Sequence, residues 1–529
     1  ALVAAIGAAA PTASRTAPPT GCWVDTGSPR DRYRSRWNAT TNRVCSTRDS
    51  THVCVVGAGF AGSHLAWLLR RRGFHNITIF EREQHVGGKA WSLARGVAGD
   101  HTPRDVGAEF LSADYVETLA LVGRFNLTLL PLSQRAGKRV HLGNGTVTTA
   151  EGDYDARVAA ITGSHDTAAN DRVVTVALRR YIKLHHTIFG KYSGRLPPQP
   201  SPDGMARLNG TALDFLVQND LRVLEPLFFN LVTDQGQGLL EEHPAWYALR
   251  WVNPGLLAAP PFDGDPDTVS AAIEEGMDAI VVRLLADAGL LDRVLFSTRV
   301  TAIARSNVGV DITHEPAAGG TSTTTSCGML VLTGPIPQFI RGSEDGSTPA
   351  IVTDPSNAEL EIFGPMVPMQ YYDAVVRLSP APMAYRGIES FPQGYHGQFG
   401  SSAGVVLRRD IRFTETNASG AVGGVMSYSY WPEPAANLSS HQSGMQQWAH
   451  TQGFRLDEVY AELWVDTYAY HYRDHSHIAQ GKPWRVWREI QLLPGLRTIY
   501  AGGAANFETV EDSLYFNLFL VDSLFDHPD

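Results

Sequence analysis

Lysine is absent from the whole stretch between Lys191 and Lys482, and the basic residues of this sequence are overwhelmingly arginine. No chemistry that needs a lysine amine can be placed in that stretch. No CxxC pair or other metal-ligand spacing occurs, so the sequence gives no ground for a metal. No run of eighteen or more apolar residues occurs, so no membrane-spanning helix is expected. A basic excess is lacking too. The net charge of −10 argues against a nucleic-acid partner, which would need a basic face. Apolar content is ordinary at 43%, which sets disordered and fibrous classes aside, and 529 residues suggest two or three domains.

Cysteine is scarce, and its four positions differ in context. Cys22 and Cys45 flank a polar, Arg-rich segment and are candidates for a disulfide loop. Cys54 lies within an apolar strand pattern and Cys327 just before another, so both read as small buried residues rather than ligands. The first ten residues, ALVAAIGAAA, read as the end of a secretory signal's apolar stretch or as a disordered Ala-rich tail, with neither Met nor a basic start before them. Asn38, Asn76, Asn126, Asn144, Asn209, Asn417 and Asn437 each begin an N-x-S/T pattern. Chance would supply about two or three of these, so a secreted or secretory-pathway glycoprotein is expected.

Residues 52–57, HVCVVG, form a short β-branched run ending at glycine, the mark of a buried strand. GAGFAG follows, with Gly57, Phe60 and Ala61 among its residues. A helical pattern then places Ala61, Leu65, Leu68 and Leu69 on one face. Arg70, Arg71 and Arg72 suit the last turn of that helix, and Gly73 its stop. A second strand, Ile77 to Phe80, ends at Glu81. Gly57 suits the tight turn, Gly59 the approach of a pyrophosphate, and Gly62 the packing of helix on strand. Glu81 is placed to hydrogen-bond adenosine ribose hydroxyls. Strand, glycines, helix, strand and acid in this order indicate a dinucleotide.

Three segments point to FAD rather than NAD. After Glu81 the chain reads Arg82 and then a second glycine pair, Gly87 and Gly88, followed by Lys89. This resembles the extension of the flavin-containing amine oxidase superfamily. DVGAEF resembles that family's segment beside the flavin, with Gly107, Ala108, Glu109 and Phe110 as candidate contacts. RTIYAGGAANFETVEDSLY, Arg497 to Tyr515, resembles its C-terminal flavin motif. There Gly502, Gly503 and the backbone amides of Val510 and Glu511 are the candidates, the helix N-terminus stabilising reduced flavin. The family usually has an acidic residue where Gly503 stands, which leaves the ribityl contact open. No cysteine lies near this motif, so non-covalent FAD is expected.

The resemblance implies an α/β fold: a Rossmann-like FAD-binding domain of the amine-oxidase type, assembled from discontinuous segments, with a mixed α+β substrate domain and a helical lid. Residues 51–125, 268–340 and 485–529 would form the FAD domain, with Val300 near the adenine. Residues 126–267 and 341–484 would form the substrate region, after a signal remnant and extension over 1–50. Patterning gives a hairpin over Leu295 to Ile312. It gives helices over 155–260 with a Pro-rich break at 196–202. Strands fill 350–475, with Tyr371, Tyr372, Tyr428, Tyr430 and Trp431 more often core than cage.

Gly73 to Ser92, Ile499 to Phe507 and Tyr428 to Trp431 are similar to the polyunsaturated fatty acid double-bond isomerases within that superfamily, and HPAWYALRW, His243 to Trp251, matches more loosely. This implies a small-molecule lipid substrate and a redox-neutral cycle in which a hydride leaves an allylic carbon and returns at another. A fatty acid needs a counter-ion, and Arg135 is the candidate by position relative to DVGAEF, with Phe262 a candidate tunnel residue. A solvated surface arginine is the plain alternative. No side chain stands out as acid or base. The other readings are a net oxidase of amines or of prenylcysteine-type thioethers. Many amine oxidases of the family use a lysine in the later chain, where this sequence has none. A flavin-fold glycoprotein without activity is the remaining class.

Overall fold

Two five-residue apolar runs, HVCVV and MLVLT, lie side by side as the middle of a parallel sheet. In the computed structural model the described residues are 50–94, 103–132, 138–141, 146–192, 194–235, 237–262, 270–344, 346–379, 387–391, 402–409, 422–429, 438–451, 453, 455–493 and 495–525. The sheet contains β1 (His52–Val56), β2 (Asn76–Phe80), β3 (Val294–Leu295), β4 (Met329–Thr333) and β5 (Thr498–Ala501), in the order β3-β2-β1-β4-β5. All neighbours are parallel, and Cys54 stands between Thr78 and Leu330. Strands buried on both faces need apolar side chains throughout, which explains the continuous runs. The sheet gathers strands from the start, middle and end of the chain.

Five helices bear on the site: α1 (Phe60–Arg71), α2 (Val116–Arg124), α3 (Ala245–Trp251), α4 (Asp278–Asp287) and α5 (Val510–Leu524). The pattern gives α1 one apolar face, but the structure buries every residue from Gly62 to Leu69. The reason is that α4 and α5 both pack on it as well as the sheet. Trp67 donates to Asp287 Oδ2 at 2.7 Å, and Asn517 donates to the Ala61 carbonyl at 2.8 Å. His64 is buried here, and burial lowers its pKa to about 3, so it is a neutral core residue.

Cys54 and Cys327 depart from the sequence reading. Both are buried, but they form a disulfide, with Cα atoms 5.9 Å apart. The strand Thr323–Cys327 ends against β1, where Gly328 donates to the His52 carbonyl at 2.8 Å. That turn brings two cysteines 273 residues apart in sequence onto one spot. Cys22 and Cys45 lie outside the described residues.

The helices expected over 155–260 are present, from Ala150–Thr162 and Thr167–Phe189 onward, and residues 195–201 are non-helical. The hairpin is Thr298–Arg305 with Val310–Pro316. Residues 367–471 contribute five strands to a seven-stranded sheet completed by Lys138–His141 and Val147–Thr149. Its long neighbours Val367–Ser379 and Arg455–His471 are antiparallel, and Tyr371 pairs with Tyr428. Tyr430 and Trp431 lie outside the described residues. This sheet meets the nucleotide-binding part through Leu93, Val106, Val375 and Ala461. Among the described residues no helix is long and apolar enough to cross a membrane.

Candidate active site

The carboxyl end of the parallel sheet carries a crevice walled by backbone. Gly57, at φ 101°, turns the chain from β1 into α1, and a Cβ there would lie 2.7 Å from Thr333 Oγ1. A Cβ on Gly62 would overlap the Gly57 carbonyl oxygen, so only glycine lets α1 start so close to β1. Phe60 and Ala61 open the helix. Gly59 is its N-cap and has no side-chain capping bond. First-turn amides without a cap suit an anion. The second glycine pair lies on this loop: Gly87 N donates to the Ala58 carbonyl at 3.1 Å, and a Cβ on Gly88 would come 3.2 Å from Gly59 Cα. Gly502 closes the other side, its Cβ position 3.4 Å from that of Ala61.

Glu81 sits at the end of β2 with both carboxylate oxygens engaged by backbone. Oε2 accepts from Ala58 N at 2.7 Å and Oε1 from Glu83 N at 2.8 Å. Burial raises its pKa. The chain after β3 wraps over it, Thr298 N donating to the Glu81 carbonyl at 2.8 Å. Val300 follows, half-buried, while Arg82 is exposed and paired with Glu83. At DVGAEF, Ala108 N donates to the Lys89 carbonyl at 2.9 Å, Glu109 is buried and Phe110 half-buried. Gly107 N donates to Asp373 Oδ2 of the neighbouring sheet at 2.9 Å.

The first turn of α5 completes the crevice. Thr509 caps it, accepting from Asp512 N at 2.9 Å. The amides of Val510 and Glu511 lie in that first turn, where no intrahelical acceptor exists. The Glu511 carboxylate turns toward α2 and accepts from Glu117 N (3.0 Å), Thr118 N (2.9 Å) and Thr118 Oγ1 (2.8 Å). Burial pushes its pKa up to about 7. The Glu508 side chain is buried, lies against Gly503 and forms an ion pair with Lys89. Burial also raises the Glu508 pKa, with Lys89 working against that.

Beside the crevice stands an aromatic cluster drawn from distant segments. Tyr247 of α3 stacks on His471 at 3.7 Å and lies parallel to Phe507 at 6.3 Å. Its hydroxyl accepts from Tyr472 N at 3.0 Å, and Trp251 meets Phe507 edge-on at 6.0 Å. His243 meets His471 at 5.2 Å. Burial lowers the pKa of His243 to about 3 and that of His471 well below its usual range, so both imidazoles are neutral. Arg250 of α3 pairs with Asp512 and donates to Asn506 Oδ1 at 3.1 Å, which fastens α3 to the start of α5. Arg195 pairs with Asp114 at 2.6 Å nearby. The result is a buried aromatic chamber with neutral imidazoles and paired charges.

The sequence matches the family described as flavin containing amine oxidoreductase over residues 60–340, more than half of the chain. The chain belongs to the flavin-containing amine oxidoreductase family. It is 24% identical to the polyenoic fatty acid isomerase of Ptilota filicina over 272 residues, 49% of this chain and 51% of that protein. The chain thus spans about half the length of that relative. Its backbone is similar to the crystal structure of the CLA-producing fatty acid isomerase from P. acnes. The TM-score is 0.69 over 91% of this chain and 100% of that one, at 18% identity. Cyclohexylamine oxidase from Brevibacterium oxydans gives a TM-score of 0.56 over 90% and 98%, at 13% identity. At these identities the structural likenesses speak for the fold.

For this flavin family member the glycine crevice fits a dinucleotide, because its walls lack side chains where a pyrophosphate would lie and α1 presents uncapped amides. Residues 57–62, 81, 87–88 and 502 meet at this crevice, and Lys89 links it to Ala108 through its carbonyl and to Glu508 beside Gly503. Phe262 is half-buried and packs against the main core. Arg135 lies outside the described residues, as do Asn38, Asn144, Asn417 and Asn437. Asn76, Asn126 and Asn209 are exposed. Sequence reasoning missed Glu508, His243, Tyr247, Arg250 and His471. HPAWYALRW carries three of these five and was the available signal for them. Nothing local marked His471.

Proposed function

We propose that this protein is an FAD-dependent hydride-transfer enzyme acting on an unsaturated lipid, isomerising the double bonds of a polyunsaturated fatty acid to a conjugated system. The observation that carries the reading is the sequence likeness to the Ptilota isomerase across 272 residues. Bound FAD would accept a hydride from an allylic carbon and return it at another. The crevice would hold FAD without a covalent bond, since the described cysteines are bonded to each other.

The chain's own part is to exclude water and to bring no uncompensated positive charge near a delocalised cation. Tyr247, Phe507 and Trp251 wall the chamber with apolar faces. His243 and His471 are held neutral, and the cations beside it are balanced, Lys89 by Glu508 and Arg250 by Asp512. A dry, low-dielectric site strengthens every remaining electrostatic contact. The stretch from 192 to 481 without lysine counts against the family's lysine-dependent amine oxidation.

An anaerobic ultraviolet scan of the purified yellow protein with linoleate or arachidonate tests the reaction. Conjugated diene or triene bands should grow without bleaching of the flavin. Flavin bleached by an amine or thioether, with no conjugation, would replace the isomerase by a net oxidase. We also propose secretory-pathway residence with N-glycans. The exposed Asn76, Asn126 and Asn209 and the Cys54–Cys327 bond support it, because disulfides persist in oxidising compartments. Peptide N-glycosidase should lower the mass of protein isolated from its source, and an unchanged mass would sink this placement.

A further inference from the structure

Charge is unevenly placed along this chain. The net charge is −10, yet no acidic residue occurs between Asp171 and Asp203. That interval holds Arg172, Arg179, Arg180, Lys183, Lys191 and Arg195, and most of it is the 23-residue helix Thr167–Phe189. Arg195 is buried and paired with Asp114, whereas the other cations are exposed. Steps of three and four residues join positions 172, 176, 179 and 183, and position 180 lies four beyond 176. These side chains therefore share one face of the helix. Val173 and Val176, 47% and 64% exposed, stand among the cations. Asp171 lies on the far side of Arg172 from both valines. Arg180 pairs with the exposed Asp220 at 3.1 Å, while Arg172, Arg179 and Lys183 have no ion-pair partner among the described residues.

The opposite face of the same helix reaches the chamber. Tyr181 donates to the Val252 carbonyl, and His185 Nε2 donates to the Leu249 carbonyl at 3.3 Å. Phe189 packs on Trp246 with ring centres 5.8 Å apart. These contacts fall on α3 or the residue after it, and α3 carries Tyr247 and Trp251 of the chamber wall. One helix thus has a basic, partly apolar outer face and an inner face that holds the chamber's wall. An ordinary solvated helix face alternates charges of both signs. A basic face with exposed apolar side chains suits an anionic lipid surface.

We infer that this outer face docks on an anionic lipid surface. Arg172, Arg179, Arg180 and Lys183 meet the headgroups, and Val173 and Val176 enter the boundary of the acyl region. The inference rests on the unsaturated-lipid reading for its purpose, since membranes are where a sparingly soluble acyl substrate collects. Docking is peripheral and reversible, because two valines bury too little apolar area to hold the protein without the cations.

Co-sedimentation of the flavin-loaded protein with vesicles tests this, comparing phosphatidylcholine alone with an equal mixture of phosphatidylcholine and phosphatidylglycerol. Binding to the mixed vesicles should be stronger by about tenfold or more and should weaken as salt is raised. The triple exchange Arg172→Gln, Arg179→Gln and Lys183→Gln removes three exposed charges that pair with nothing described. It should lose about tenfold or more in binding to the mixed vesicles, with native flavin content and native turnover of dissolved substrate. Equal binding of the native protein to both vesicles, or binding to neither, would overturn the inference, as would full binding by the triple variant. A protein that conjugates linoleate yet ignores anionic vesicles would lose the docking surface alone. One that docks without conjugating any fatty acid would keep the surface and lose the isomerase reading.

Discussion

The nucleotide crevice and the aromatic chamber lie side by side but are built from different materials. The crevice is backbone. Its working surface is a set of glycines and uncapped amides at the ends of β1, β5 and α1, and each piece is compact in sequence. The chamber is side chains: His243, Tyr247 and Arg250 from one helix and its approach, His471 from the end of a long strand, and Phe507 and Glu508 from the C-terminal loop. A backbone site depends on what is missing, and a side-chain site on what meets. Altering the crevice by one methyl group should therefore do more damage than most exchanges in the chamber.

Gly62→Ala is the sharpest way to break that contrast, and the largest effect is expected from it. The new Cβ would overlap the Gly57 carbonyl oxygen, which is backbone and cannot swing aside. Either the helix start or the β1 turn must move, at a cost of about 1–3 kcal/mol. The same movement displaces the amides of α1 that face the pyrophosphate. Purified Gly62→Ala protein should carry less than a tenth of the native flavin absorbance per chain, while far-ultraviolet circular dichroism stays native-like. Full flavin content would show that the crevice tolerates a side chain, and the backbone argument would fall.

The same division explains what could be read before the fold was known. The glycine loops were legible because strand, turn and helix signals follow one another within about forty residues, and a parallel strand buried on both faces has to be apolar throughout. The disulfide was not. Cys54 and Cys327 each sit in a context that predicts burial, and only the β1–β4 pairing shows that they meet. The full burial of α1 was hidden for a related reason. Its one-sided pattern describes the sheet, whereas Trp67 and Ser63 answer to α4 and to their own turn. Glu508 lies inside a recognised motif, yet its partner Lys89 is 419 residues away. Arg250 illustrates the limit most plainly, since its pairing with Asp512 and Asn506 is a property of packing and leaves no trace in a sequence.

Asp373 offers a finer probe, because it joins the two materials. It projects from the strand Val367–Ser379 and accepts from Gly107 N, a backbone amide of the crevice side, at 2.9 Å. Burial pushes its pKa up to about 7, the Gly107 and Ala374 amides oppose that, and Asp105 adds to it. Its folded pKa thus exceeds the ordinary 3.8, so the folded state keeps a proton that the unfolded chain releases. The stability this gives is complete below about pH 4 and is lost as pH rises through about 7. Three units would amount to at most about 4 kcal/mol. Asp373→Asn keeps the acceptor for Gly107 and removes the charge. Its melting temperature should match the native protein's near pH 4 and exceed it by a few degrees at pH 8. Glu511, also raised to about 7, should leave part of the native slope in place. Identical pH profiles for the two proteins would mean that Asp373 is ionised where it sits, and that the contact between sheet and crevice is a charged one stabilised by its backbone donors.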